Sequence, residues 1–207
     1  FRSSLEAWGK DLRFWMRFPT RQGEVVTVKT AVSAVSSDGA KLNMQELEGK
    51  TFASLKAEGE KLWEGQLSKF KIEATPEQRE TFYTSVYHAF LHPFIFQDAD
   101  GKFRELDKNI GQAEGFTNYT VFSLWDTYRA LHPLFNLVQR DINADIVNSM
   151  LAHYDKSVEH MLPVWSFYGN ETWCMIGYHA VSVIADAIMK DVKGFDYERA
   201  YESMKTT

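Results

Sequence analysis

The chain is poor in the features that mark several classes of protein. It has one cysteine in 207 residues, which excludes an internal disulfide and leaves the redox compartment open. It has no apolar run of about eighteen residues, so we expect no membrane-spanning helix. The net charge of -5 provides no basic stripe for nucleic acid. Residues 1–8 lack the charged start and apolar block of a secretion signal, so the signal of an exported protein would lie upstream.

What is present indicates a globular chain. With 44% hydrophobic and 14% aromatic residues, it can bury a core as one large or two small domains. Segments 11–18 and 24–35 are rich in β-branched and aromatic residues and predict two strands, which we expect to join a larger sheet because a lone hairpin is marginally stable. A charged helical stretch from about residue 41 to 70 predicts an interdomain connection. Its apolar residues at helical spacing, including Phe52 and Leu62, predict a face turned to a core.

Residues 75–78 carry the strongest helix signal in the chain. A threonine cap, a proline at the first helical position and a glutamine three residues after the cap predict a helix over 76–92 that Pro93 ends. Three more helices are predicted over about 142–161, 169–191 and 196–205.

The histidines do not predict a metal centre. His88 and His92 have the spacing of a zinc pair, but Ala89 occupies the place where a metalloprotease has its glutamate. His153 and His160 are expected to be solvated or to cap their helix.

The segment 94–118 is long enough to predict a functional loop or a region of short strands. Within it, Asp98 and Asp100 before Gly101 resemble the start of a calcium loop, but an EF-hand needs glycine at its sixth position and here glycine is fourth. A tight turn between short strands is the better interpretation.

One acidic residue stands out in the segment 121–138. Apolar residues occupy every side of its helical period, so we expect a buried helix in which Asp126 needs a partner, a polar cavity or a ligand. Pairing with Arg129 one turn on is the simple explanation. Trp125 and Tyr128 suit either a sugar ring or core packing. The residues alone leave both possibilities open.

Two motifs carry a family resemblance. The runs YTVFSLWDTYRALHP at 119–133 and LPVWSFYGNETWCMIGYH at 162–179, with FYTSVY at 82–87 and DGKFR at 100–104, resemble family 92 of the glycoside hydrolases, the calcium-dependent exo-acting alpha-mannosidases. The resemblance covers most of the chain and weakens before about residue 45.

The resemblance implies a fold that is mainly α with a small N-terminal β part. In that family a β-sandwich precedes a toroid of six helical hairpins, (α/α)6, and the active site lies at their junction. We therefore expect residues 1–40 to end the sandwich, 41–74 to form the linking helix, and 75–207 to begin the catalytic toroid.

The resemblance also implies a substrate, a mannose-containing glycan, and a set of binding residues. Trp125, Asp126 and Arg129 are expected to hold the terminal mannose, and Glu171 and Trp173 to line or shape the site, although Glu171 also suits a helix cap. Asp126 and Glu171 as an acid and base pair is a further possibility. Cys174 is expected to be buried.

The resemblance places the chemistry elsewhere in the polypeptide. The catalytic glutamate, the acidic pair that activates water and the calcium ligands are expected after Thr207, so this segment holds no catalytic or metal residue and is expected to be inactive alone. The rest of the polypeptide is then needed to complete the fold, and export is expected. Alternatives are a trehalase-like or glucoamylase-like (α/α)6 glycosidase, or a non-catalytic sugar-binding module.

Overall fold

The computed structural model describes residues 7–207. Eight α-helices, one short 3₁₀ turn and four short strands occur in this range, with the helices predominating. In chain order they are α1 (Ser37–Met44), the 3₁₀ turn (Gln45–Leu47), α2 (Phe52–Leu67), α3 (Pro76–Ala89), β1 (Phe94–Ile95), β2 (Lys102–Arg104), β3 (Ile110–Gln112), β4 (Tyr119–Thr120), α4 (Leu124–Thr127), α5 (Leu131–Val138), α6 (Arg140–Lys156), α7 (His179–Met189) and α8 (Tyr197–Thr206).

The segment before α1 does not form the two predicted strands. Residues 7–36 contain no strand, and most of their large apolar side chains are exposed. A strand needs a partner edge to satisfy its backbone groups, and the described part of the chain offers this segment none. The predicted unit 1–40 also includes residues 1–6, which lie outside the described range.

The end of this segment is nevertheless held against the loop that follows α3. The hydroxyl of Ser33 donates to the Asp98 carboxylate at 2.6 Å, and the Arg104 guanidinium donates to the Ala34 carbonyl at 2.7 Å. The amide of Asn43, on α1, donates to the other Asp98 oxygen at 2.8 Å. These bonds fix the chain before it enters α2.

The two helices after α1 begin as their caps predict. Thr51 starts α2 in a capping box with Ser54, and Thr75 starts α3 in a capping box with Gln78. The predicted helix over 76–92 is thus confirmed at its start, and it ends earlier than expected, at Ala89, before a cis His92-Pro93 bond.

The long segment after α3 contains short strands, as predicted. Strand β1 pairs antiparallel with β4, and β2 pairs antiparallel with β3. The tight turn predicted at residues 98–101 precedes β2, where the Gly101 amide donates to the Asp98 carbonyl at 2.8 Å.

The hydrophobic core lies among α5, α6, α7 and α8 and the segment that leads into α4. Its members are apolar side chains with almost no exposed surface, contributed mainly by α6 and α7. The core residues include Phe122, Leu124, Phe135, Ile146, Val147, Met150, Leu151, Val183, Ile184, Ala187 and Val192. This packing provides the rigid support for the segments described next.

Candidate functional site

The apolar stretch 121–138 forms two helices instead of one. Helix α4 ends at Thr127 and α5 begins at Leu131, with Ala130 in a non-helical conformation between them. Pro133 explains the break: it has no N–H, and in a continuous helix its ring would clash with the carbonyl of Arg129 four residues earlier. In the first turn of a new helix, proline is tolerated.

The break leaves α4 with a solvent-facing side, so the expectation of a buried Asp126 is wrong. Trp125, Asp126 and Arg129 are all exposed. Within residues 7–207 no ion pair joins Asp126 to Arg129, and the carboxylate has no hydrogen-bond partner there. Arg129 instead donates to the Trp125 carbonyl at 3.1 Å, and its guanidinium carbon lies 4.9 Å from the Trp125 ring centroid.

Helix α4 is positioned by aromatic stacking on the first residue of α7. The rings of Tyr128 and His179 stack with centroids 4.2 Å apart and an angle of 12° between their planes. Beside them, the hydroxyl of Thr127 is buried and has no hydrogen-bond partner within the described range. The WDT sequence thus combines an aromatic face, a free carboxylate and an unsatisfied hydroxyl.

The second motif is a loop where a helix is expected. The helix predicted from residue 169 begins only at His179, so Glu171 is not in a helical first turn. Residues 166–171 instead form a tight hairpin, in which the amides of Phe167 and Asn170 donate to each other's carbonyls at 2.7 and 3.0 Å. The hairpin uses these backbone groups locally, so they are not available to a helix.

The carboxylate of Glu171 accepts hydrogen bonds from backbone N–H groups on both sides of this hairpin. One oxygen accepts the backbone N–H groups of Trp165 at 2.9 Å and Trp173 at 3.0 Å, and the other accepts that of Val164 at 2.9 Å. The side chain is 5% exposed. Charge-assisted bonds of this kind are about twice as strong as neutral ones. Glu171 therefore orders the loop on both sides of the hairpin.

His153 lies on the other side of the Glu171 carboxylate, so the expectation that it is solvated is wrong. Its side chain is 8% exposed, and Nε2 lies 3.6 Å from a Glu171 oxygen. Burial lowers the pKa of His153 to about 4, and the nearby Glu171 charge opposes this by raising it. The helical spacing from Ile146 and Met150, both fully buried, was the signal for its burial. His160 is exposed and follows the end of α6.

The loop holds large residues in a left-handed backbone conformation. Tyr168 has φ of +50° and Trp173 has φ of +52°. Such values are uncommon for bulky side chains and cost on the order of 1–2 kcal/mol each. Gly169 between them, with φ of +68°, is required because a Cβ would meet the Arg104 carbonyl at 2.7 Å. Strain of this kind persists where surrounding contacts determine the position of a side chain.

The part of the loop after Glu171 is exposed and apolar. Residues 172–178 are all exposed, Trp173 by 49%. The expectation that Cys174 is buried is wrong, because no helix forms here to turn the thiol inward. Together with the exposed rings of Phe167 and Tyr168, this stretch presents an aromatic surface.

Two hydrogen bonds donated by backbone amides tie the two motifs together. The Phe122 amide donates to the Ser166 carbonyl at 3.0 Å, and the Tyr168 amide donates to the Thr120 hydroxyl at 2.9 Å. The structure thus joins the chain that enters α4 to the hairpin that carries Glu171. It places Arg129 over the ring of Trp125, and it bonds the Glu171 carboxylate to the backbone of Trp173. The carboxylates of Asp126 and Glu171 have opposite environments, because Asp126 is exposed and Glu171 is enclosed.

A separate polar cleft lies between α6, α8 and the β2–β3 ladder. Its volume is about 570 Å³, and none of the predicted binding residues lines it. Its two cations pair with carboxylates: Lys156 lies 3.1 Å from Glu105, and Arg199 pairs with Asp155. Among residues 7–207, the cleft therefore presents no free cation to an anionic ligand.

The described residues do not fit a calcium ion. In the range 7–207 no group of three or more His, Cys, Asp or Glu side chains is arranged to hold a metal. The most suggestive carboxylate in the sequence, Asp98, accepts hydrogen bonds from Ser33 and Asn43.

No helix in residues 7–207 is long and apolar enough to cross a membrane.

Comparison with known proteins gives a consistent result. The chain matches the glycosyl hydrolase family 92 catalytic domain over residues 39–207. It is 76% identical to a GH92 alpha-mannosidase from Bacteroides thetaiotaomicron, with a TM-score of 0.84, over 84% of this chain and 24% of that one. That mannosidase is also known in complex with mannoimidazole. An inverting GH92 mannosidase from the same organism is 29% identical with a TM-score of 0.76, again over 84% of this chain and 24% of the other.

The chain therefore spans about a quarter of the length of the solved structures it matches. No curated protein matches it. The trehalase-like and glucoamylase-like alternatives give way to the match that extends over most of the chain, including both motifs. This chain belongs to glycosyl hydrolase family 92.

Proposed function

We propose that the intact protein is an alpha-mannosidase that releases terminal mannose from glycans by hydrolysis, and that this segment supplies residues that hold the sugar. Membership of family 92 and the 76% identity to an alpha-mannosidase support the reaction. The mannoimidazole complex of that relative supports mannose as the recognised sugar.

The exposed Asp126 carboxylate carries the proposal for the binding residues. It has no partner within residues 7–207 and lies in the same short helix as Trp125, over whose ring Arg129 is held. A free carboxylate accepts hydrogen bonds from sugar hydroxyls, a guanidinium donates to them, and an indole face packs against a ring. Holding the ring in this way orients the anomeric carbon toward the reacting groups.

The acid and base of the reaction are proposed to come from other parts of the polypeptide. An inverting glycosidase needs two carboxyl groups about 6.5–9.5 Å apart on either side of the scissile bond. Glu171 does not suit such a role, because its carboxylate accepts three backbone N–H groups and is enclosed. Asp126 is accordingly proposed to bind and not to transfer a proton.

Calcium assistance follows from the family alone, and we propose that its ligands also lie outside this segment. The carboxylates in the described range are dispersed or already engaged, so no step of the reaction is assigned to the ion here. We further propose that residues 1–40, 41–74 and 75–207 correspond to the end of a β-sandwich, a linking helix and the start of an (α/α)6 toroid, and that the protein is exported to reach its glycans.

The proposal is tested in the full-length enzyme with Asp126→Asn. The variant should lower kcat/KM for a terminal mannoside by about 100-fold or more, since one charged hydrogen bond to a substrate contributes roughly 1.5–3 kcal/mol and also orients the ring. The matched control is Asp141→Asn, an exposed aspartate in the first turn of α6. Equal activities of the two variants would remove Asp126 from the site, and absence of turnover in the wild type would contradict the mannosidase assignment.

A further inference from the structure

Glu171 has a geometry that separates it from the other candidate binding residues. Its two oxygens face inward and accept the N–H groups of Val164, Trp165 and Trp173. Among the residues that carry exposed rings, Trp173 is thus held by a carboxylate that is itself shielded from solvent.

The bond from the Trp173 amide is the important one. Trp173 has a left-handed backbone, and its N–H points to the same Glu171 oxygen that accepts from Trp165. Without that acceptor, the unfavourable conformation at Trp173 loses its restraint, and the ring is free to leave its position.

The hairpin is fixed from outside as well, so a loss at Glu171 would act locally. Lys108 donates to the Gly169 carbonyl at 2.7 Å and also to the side-chain oxygen of Asn170. The Thr172 hydroxyl donates to the Trp165 carbonyl at 2.9 Å. The tip of the hairpin is therefore held independently of Glu171, whereas the position of Trp173 depends on it.

From these contacts we propose that Glu171 is a positioning residue that sets the place of the Trp173 ring in the sugar site and does not itself touch the sugar. The inference rests on the proposed mannosidase function. It assigns to Glu171 an indirect role in specificity, through the aromatic surface of residues 172–178.

The decisive experiment is a double-variant cycle in the full-length enzyme. Trp173→Ala should raise both the KM for a terminal mannoside and the inhibition constant of mannoimidazole by about tenfold, the factor that about 1.4 kcal/mol represents, with kcat little changed. Glu171→Ala should raise both constants in the same way, because it removes every acceptor of the three N–H groups, including that of Trp173. In the double variant the constants should equal those of Trp173→Ala alone.

The inference is overturned if the fold-changes in KM and in the inhibition constant caused by the two single substitutions multiply in the double variant. Independent effects of this kind would show that Glu171 does not act through Trp173. A direct contact to the sugar would give the same multiplication. Asp186→Asn is the matched control: the Asp186 carboxylate accepts from Asn136 at 2.7 Å and from Lys190, and it contacts none of the candidate binding residues, so the variant should leave KM unchanged.

If Glu171→Ala does not fold, Glu171→Asp takes its place in the cycle. Its side chain is one methylene shorter, which withdraws the carboxylate from the Trp173 amide and keeps the charge. Coupling with Trp173→Ala supports the inference, and multiplication of effects contradicts it. Turnover of the mannoside by the wild-type enzyme is measured first, and a lack of turnover contradicts the proposed function. If the wild type is active and the effects of the two substitutions are independent, only the positioning role of Glu171 is contradicted.

Discussion

Helices α2 and α6 are almost equal in length, with 16 and 17 residues, but they are stabilised in opposite ways. Helix α2 has a complete capping box and no buried residue. Helix α6 has no side-chain cap and seven buried residues. The comparison shows that local signals and tertiary packing are separate sources of helical stability, and that in proteins the second is usually the larger.

The largest expected effect is the loss of stability that a cavity beside α6 would cause. Ile146→Ala should lower the free energy of opening of α6 by about 2–5 kcal/mol, because the side chain is fully buried and the core cannot close completely around the gap. Leu62→Ala in α2, at a side chain that is 72% exposed, should change opening by less than about 0.5 kcal/mol. Hydrogen exchange of both helices in the intact protein measures the difference. Equal effects would mean that a further part of the polypeptide covers α2.

The next effect depends on pH and concerns the contact between α5 and α6, with α2 unaffected. Burial lowers the pKa of His132 to about 4, although its hydrogen bond with Asn143 of α6 raises it. The unfolded chain, with a pKa of about 6.5, binds more protons between those values. The contribution of neutral His132 to the free energy of unfolding is thus complete above pH 6.5, and it decreases as the pH falls toward 4, by roughly 3 kcal/mol at most.

The measurement is hydrogen exchange of α6 at several pH values between 7 and 4, corrected for the intrinsic rate. His132→Gln keeps a hydrogen-bonding group and cannot titrate, so it should reduce the dependence, and the part that remains is expected from His153 of α6, whose pKa burial also lowers to about 4. Helix α2 has no histidine and is the internal reference. An unchanged slope in the variant would show that other groups cause the loss.

A smaller effect is expected at the cap of α2. Thr51→Ala removes the acceptor of the Ser54 amide and should lower the stability of α2 by about 1 kcal/mol, with α6 unaffected. Thr51→Ser keeps the hydroxyl and should behave as the wild type. Exchange of the first-turn amides of α2 is the measurement, and protection that survives Thr51→Ala would show that packing holds the helix.

The smallest effect is expected for the surface ion pair of α2. Lys56 and Glu60 lie 3.6 Å apart, and each side chain is 67% exposed. Lys56→Ala should change opening of α2 by about 0.5 kcal/mol or less, and the change should disappear in high salt. A larger or salt-independent loss would indicate a buried contact of Lys56 in the intact protein.

Local signals in the sequence predicted much of the fold. The residues 75–78 specify the start of α3, and Asp196 before Tyr197 caps α8 through the Arg199 amide at 3.0 Å. The turn before Gly101 and the mainly helical character also follow from short-range chemistry. The family could be identified from its two motifs, although their geometry could not.

The failures share a physical cause, which is that hydrophobic periodicity records neither a break in the backbone nor the contacts of a polar side chain. The strands predicted over 11–18 and 24–35 have no sheet to join in the described range. Asp126 is exposed because Pro133 ends helical continuity seven positions later. Glu171 lies in a hairpin because backbone amides on both sides of it, and His153 from α6, surround its carboxylate. Periodicity contains no information about such contacts.

The bonds from Phe122 to Ser166 and from Tyr168 to Thr120 limit where the chain tolerates insertions and deletions. An insertion or deletion between residues 120 and 122, or between 166 and 168, shifts one motif past the other by a full residue. Length changes in the exposed turn at Val158 and Glu159 leave that alignment intact. Two segments more than forty positions apart thus behave as a single unit of fixed length.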